Sequence, residues 1–162
     1  MIVYNIVDMN FNNNSISNPE QYILLFDGCS KNNPGPAGAG AVLYKNGKEI
    51  SSVCSFLGLQ TNNYAEYMAL IKGLEMCLRY SIGHLEVKGD STLVINQMNG
   101  EWKVNNPQLE LLYEKAKQFE GQLNRVSYNH IPREQNKRAD MLANQALLKG
   151  FDATNPLHCM NE

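Results

Sequence analysis

The stretch "AVLYKNGKEI" does most to limit the fold. Apolar, strand-forming residues lie on both sides of Asn46-Gly47, the pair favoured in a two-residue hairpin. Strands are therefore predicted over 40–44 and 48–56, and a further apolar run over 22–26 adds a third. Beyond residue 60 the period changes. Apolar residues recur at three- and four-residue steps over 62–80, which predicts a long helix. Short strands follow over 84–88 and 125–130, and helices over 91–99, 107–119 and 136–148, with Pro107 suited to a first helical turn. Hairpins make antiparallel neighbours, whereas helical crossovers favour parallel ones with right-handed connections. The expected fold is an α/β domain: a mixed five-stranded sheet, three strands antiparallel and two added in parallel, flanked by helices.

One domain accounts for 162 residues. Residues 21–149 form its body. Residues 1–20, with "NFNNNSISNPEQ", offer little to bury and read as a loosely ordered extension, and 150–162 as a tail. No apolar run reaches the roughly 20 residues of a membrane helix. The start has an early Asp8 and no basic region, so no signal peptide is expected. Cys29, Cys54, Cys77 and Cys159 are scattered without a C-x-x-C pair, which suits reduced thiols in an intracellular, reducing compartment such as cytoplasm or nucleus. A formal charge of −2 speaks against a generic basic nucleic-acid binder, although cations held in an acidic site would reverse the local field.

Four carboxylates stand at chemically suggestive places, each with an ordinary explanation beside it. Asp27 closes the first predicted strand, where "DG" also reads as a turn. Glu66 lies three residues after Asn63, as in a capping box. Asp90 follows the fourth strand, where an N-cap would explain it. Asp140 sits early in the last helix near Lys137 and Arg138 and reads equally as a solvated surface acid. Together they say more. In this topology the first and fourth strands are neighbours, and ligands of open α/β sheets collect beyond the carboxyl ends of strands. Acids gathered there would repel one another unless hard divalent cations joined them. Such a cluster suits phosphodiester hydrolysis by two metal ions, and neither G-x-S-x-G nor a phosphate-binding G-x-x-x-x-G-K-[ST] loop occurs.

Four ordered segments, "FDGCSKNNPGPAGAGAV", "TNNYAEYMALIKGLE", "VKGDSTLVINQMNGEWKV" and "HIPREQNKRADMLANQAL", resemble type 1 ribonuclease H, in particular its compact prokaryotic and retroelement-like branch. The resemblance runs from about residue 22 to 148. It implies an endonuclease that cuts the RNA strand of RNA–DNA hybrids with two Mg2+ ions, Mn2+ being a possible substitute, and leaves 5′-phosphate and 3′-hydroxyl ends. By it, Asp27 bridges both ions, Glu66 and Asp90 complete one shell, and Asp140 helps hold the ion on the side of the attacking water.

The same resemblance places Asn33 and Asn62 at the hybrid's minor groove and Thr61 at a DNA phosphate. As plain residues, Thr61 or Asn62 would cap the helix and Asn33 would turn the chain. His130, ten residues before Asp140, matches a histidine that assists proton transfer or product release, or else it is a structural strand-end residue. Asn136 matches an asparagine near the site, or it caps the last helix. The chain departs from many bacterial relatives between Asp90 and Pro107, where it has only "NGEWKVNN" in place of a basic protrusion. Modest, salt-sensitive binding is the consequence expected. Trp102, the sole tryptophan, either stacks on the substrate or covers the core. The expected partner is the hybrid alone, with no membrane, and the chain is expected to act as a monomer. Two alternatives are a catalytically silent binding module, which the presence of all four acids disfavours, and another nuclease on the same fold.

Overall fold

The computed structural model describes residues 17–152. The sequence extensions at 1–16 and 153–162 lie outside the described residues.

Among the described residues, five strands and four helices form the domain: β1 Tyr22–Ser30, β2 Gly35–Lys45, β3 Lys48–Gln60, α1 Asn62–Cys77, β4 Leu85–Gly89, α2 Thr92–Met98, α3 Pro107–Gly121, β5 Val126–His130 and α4 Lys137–Asp152, with a 3-10 turn at Arg133–Gln135. The sheet order is β3-β2-β1-β4-β5. β1 pairs with β2, and β2 with β3, antiparallel, while β4 joins β1 and β5 joins β4 in parallel. The predicted mixed five-stranded sheet is the one observed. Its hairpin turns on Asn46 and Gly47, both at positive φ (50° and 79°), as a two-residue turn of matching twist requires.

The first three strands are longer than their apolar runs. β1 continues through "DGCS" and β2 begins within "GPAGAG", so the segment that reads as a loop is paired ladder, Asp27 opposite Gly40 and Gly28 opposite Ala39. Asp27 therefore lies inside a strand and not at its end. Helix packing explains why glycine is needed there. A Cβ on Gly28 would stand 2.1 Å from the Ala65 carbonyl carbon of α1, and one on Gly40 would stand 2.5 Å from the Ala139 carbonyl oxygen of α4. Successive strand residues face opposite ways. The bare positions thus let α1 approach one face of the sheet and α4 the other.

Leu24, Phe26, Leu43, Leu70, Leu74 and Val87 are fully buried where α1 meets the sheet, and α2 and α3 add Val94, Leu109 and Ala116 to the same core. On the other face α4 buries Ala139, Leu142, Ala143 and Ala146. Arg138 fixes α4 to β3 through two bonds to Glu49, at 2.9 and 3.1 Å. No helix among the described residues is long and apolar enough to cross a membrane.

Candidate active site

The strand register brings the first two acids together. The parallel pairing of β1 with β4 ends at Phe26 opposite Gly89, and the next residues along the chain are Asp27, still in β1, and Asp90, just past β4. Close packing of α1 on Gly28 supplies the third: the Gly28 N–H donates to Glu66 Oε2 at 3.2 Å. Carboxylate oxygens of Asp27, Glu66 and Asp90 all lie within 4.8 Å of one another. Asp140, brought to the same rim by α4, lines a pocket of about 280 Å³ with these three and with Asn62, Ser91 and Arg133.

Asp27 and Glu66 are each only 6% exposed, and that burial sets their protonation. Burial, aided by the nearby Asp90 charge, pushes the Asp27 carboxyl up to about 7. Burial and then the charge of Asp27 hold Glu66 well above the usual carboxylate range. The half-buried Cys29 thiol, on the pocket wall, is pushed up to about 11 by burial and by the Asp27 charge. A thiolate nucleophile is therefore not on offer there. The donor set is all oxygen, crowded and short of compensating charge, and it fits a hard divalent cation. Asp27, Glu66 and Asp90 are the residues that could hold one.

The ordinary explanations for these acids fail in turn. Thr61, not Asn63, caps α1, accepting from the Tyr64 N–H at 3.2 Å, so Glu66 lies beyond the first turn and makes no capping box. Ser91, not Asp90, caps α2 through the Val94 N–H at 3.2 Å. Asp140 is partly buried at 31% exposure. It faces Arg133 Nη2 at 3.7 Å and accepts from Asn144 Nδ2 at 3.2 Å, which is not the setting of a free surface acid.

Asn136 does not cap α4 with its side chain. It is fully buried, and its Nδ2 donates both to the Phe26 carbonyl and to Asp90 Oδ1, each at 2.9 Å. It ties the segment before α4 to β1 and orients the Asp90 carboxylate. Its Oδ1 has no hydrogen-bond partner. Asn33 and Thr61 brace the entrance: Asn33 Oδ1 accepts from the Asn62 N–H at 2.8 Å, next to the Thr61 cap. His130 is exposed at the end of β5, in register with Gly89, and does not line the acidic pocket. Trp102 is 49% exposed and belongs to a different cleft, so it does not cover the core. Arg133 and Gly28 were not singled out from the sequence. Arg133 stood within a quoted motif, but only the 3-10 turn reveals that it faces Asp140.

A sheet of this order, with Asp27 on β1 and Asp90 just after β4 meeting Glu66 of α1, defines a ribonuclease H-like domain. Comparison with known proteins agrees. Residues 25–146 match the reverse transcriptase-like family. The chain is 42% identical over 127 residues to the bifunctional protein Rv2228c of Mycobacterium tuberculosis, covering 77% of this chain and 35% of that protein. It is 42% identical over 123 residues to ribonuclease HI of Halobacterium salinarum, covering 75% and 62%. It thus spans less than two thirds of the length of either relative. The crystal structure of LC11-RNase H1 in complex with RNA/DNA hybrid superposes with a TM-score of 0.77 at 36% identity, covering 81% of this chain and 99% of that one. The chain belongs to the type 1 ribonuclease H family.

Proposed function

We propose that this protein hydrolyses the RNA strand of RNA–DNA hybrids, with two divalent cations, Mg2+ or Mn2+ in its place, held by Asp27, Glu66, Asp90 and Asp140. The observation that carries this reading is the convergence of three carboxylates within 4.8 Å in a chain of this family. Bound ions would supply activation of water and stabilisation of the leaving oxygen, giving 5′-phosphate and 3′-hydroxyl ends.

The chain's own groups do the positioning. Asp27, which interacts with Glu66, Asp90 and Asp140, would help hold both ions, and Asn136 fixes the Asp90 carboxylate. Asn62 on the pocket wall, with Asn33 and Thr61 braced beside it, is suited to meet sugar and phosphate oxygens, and a 2′-hydroxyl distinguishes the RNA strand. Trp102, half-exposed beside a separate cleft, would form a second contact on the outer surface. Arg133, beside Asp140, is a cation that a hybrid phosphate would meet at the rim. His130, outside the pocket, is proposed only for proton transfer or product release during turnover, and His130→Ala should then lower kcat while leaving Mg2+ dependence unchanged.

An end-labelled hybrid incubated with Mg2+ and then with EDTA tests the reading, beside single-stranded RNA, duplex RNA and duplex DNA. Cutting confined to the hybrid's RNA strand and abolished by EDTA is expected. No cutting by folded protein in Mg2+ or Mn2+ would instead favour a silent binding module, and cutting of duplex DNA another nuclease.

A further inference from the structure

Among the described residues the buried polar and charged side chains are Asp27, Glu66, Asn136 and Gln97. The first two line the acidic pocket, and Asn136 holds Asp90 at its edge. Gln97, on α2 and 5% exposed, does not line it. A buried amide is costly unless its hydrogen bonds are made, and a methionine would fill similar space with no such demand.

Gln97 makes both kinds of bond. Its Oε1 accepts from the hydroxyl of Tyr67, a fully buried residue of α1, at 2.5 Å. Its Nε2 donates to the Lys103 carbonyl at 3.1 Å. Gly100, at φ 75°, turns the chain, and the Glu101 and Trp102 N–H groups both donate to the Asn96 carbonyl, at 2.9 and 3.2 Å. The loop after α2 is thereby folded back on the helix and pinned at Lys103 from inside the core. It holds Trp102 half-exposed beside a cleft of about 400 Å³ that Tyr113 and Val104 also line. On the other side of the link, Tyr67 directly follows Glu66 on α1.

We infer that the buried Tyr67–Gln97 pair positions the Trp102–Lys103 loop, at a fixed offset from the acidic pocket, as a second contact for nucleic acid. The inference rests on the proposed function, since it names a positioning residue for the same substrate. Trp102 would stack on a base or sugar and Lys103 would attract a phosphate, while Gln97, which also borders the cleft but is only 5% exposed, acts through the loop it pins.

Trp102 is the sole tryptophan, so its emission reports the loop directly. Gln97→Met is expected to red-shift that emission and lower its anisotropy in the free protein in EDTA. It should raise KM for the hybrid about 5- to 10-fold and leave kcat within about two-fold, because the acids are untouched. On a Trp102→Ala background, Gln97→Met should add little further to KM, since one residue acts through the other. Tyr67→Phe, which removes only one oxygen, serves if Gln97→Met fails to fold, and should shift emission and KM in the same direction. Unchanged emission and KM in the folded variant would overturn the inference, as would an equal loss in kcat, or KM effects that add fully with Trp102→Ala. If the parent cuts no hybrid, the proposed function fails and the substrate part of the inference with it, while the emission shift still decides whether Gln97 sets the loop.

Discussion

Replacing Asp27 by asparagine should stabilise the metal-free protein and abolish its activity, two effects that a purely structural aspartate would not show together. The size follows from the carboxyl's environment. Asp27 titrates near 3.8 when unperturbed and about 7 when folded. Below about pH 4 both states hold the proton and the group contributes nothing. Between about pH 4 and 7 the unfolded chain releases its proton while the folded one keeps it, so folding stability falls as pH rises. Above about 7 the full penalty stands. Three pKa units correspond to a ceiling of about 4 kcal/mol. An amide must also be desolvated in that site, so a gain of about 2 kcal/mol is expected for Asp27→Asn at pH 8, vanishing near pH 4. For a chain of this length that is a rise of about 4–8 °C in Tm. Thermal and urea unfolding in EDTA at pH 4.5, 6 and 8, run with parent and variant, measures it. Adding Mg2+ should stabilise the parent at pH 8 and the variant much less, by mass action on the folded state. A variant no more stable than the parent at pH 8, or one whose gain is equal at pH 4.5, would refute the picture of crowded, desolvated carboxylates.

Other perturbations bear on how the site is built. Gly28→Ala places a Cβ against the Ala65 backbone, so α1 must move; a loss of about 3 kcal/mol or more in urea unfolding is expected, with reduced hybrid cleavage even where the variant is folded. Asn136→Ala removes both donors that hold Phe26 and Asp90, and should cost about 1–3 kcal/mol in urea unfolding and raise the Mg2+ concentration for half-maximal activity about 10- to 100-fold. Ser91→Ala should cost about 1 kcal/mol as the loss of a helix cap, while Asp90→Asn should leave metal-free stability unchanged or slightly higher and remove turnover; equal costs in denaturant would return Asp90 to a capping role.

What the sequence made legible, and what it hid, divides along a physical line. Local patterns carried the strand and helix order, because an Asn-Gly turn and a three-to-four apolar period need no partner to be recognised. The sheet's neighbours followed from connection rules, which is why Asp27 and Asp90 were expected at one edge. The roles of the small residues stayed hidden. "DGCS" and "GPAGAG" read as loop because glycine is costly within a strand taken alone. Here the missing side chains let two helices lie directly against the backbone, α1 at Gly28 and α4 at Gly40, and the strands run on through them. Capping was only partly legible: Thr61 was among the caps read for α1, whereas Ser91 was not among those read for α2. Thr61 beside Asn63, and Ser91 beside Asp90, each offered two acceptors one or two residues apart, and only the entry of the chain into its helix selects between them. Long-range polar partners were the least legible. Asn136 meets Asp90 across 46 residues and Tyr67 meets Gln97 across 30, each through a fold that both must help to specify. An amide in an apolar stretch such as "STLVINQM" is the faint trace such partners leave. A buried polar side chain calls for partners, and the donors of Asn136 and Gln97 find theirs at an acid of the pocket and on the loop that carries the only tryptophan, while Asn136 Oδ1 is left without one.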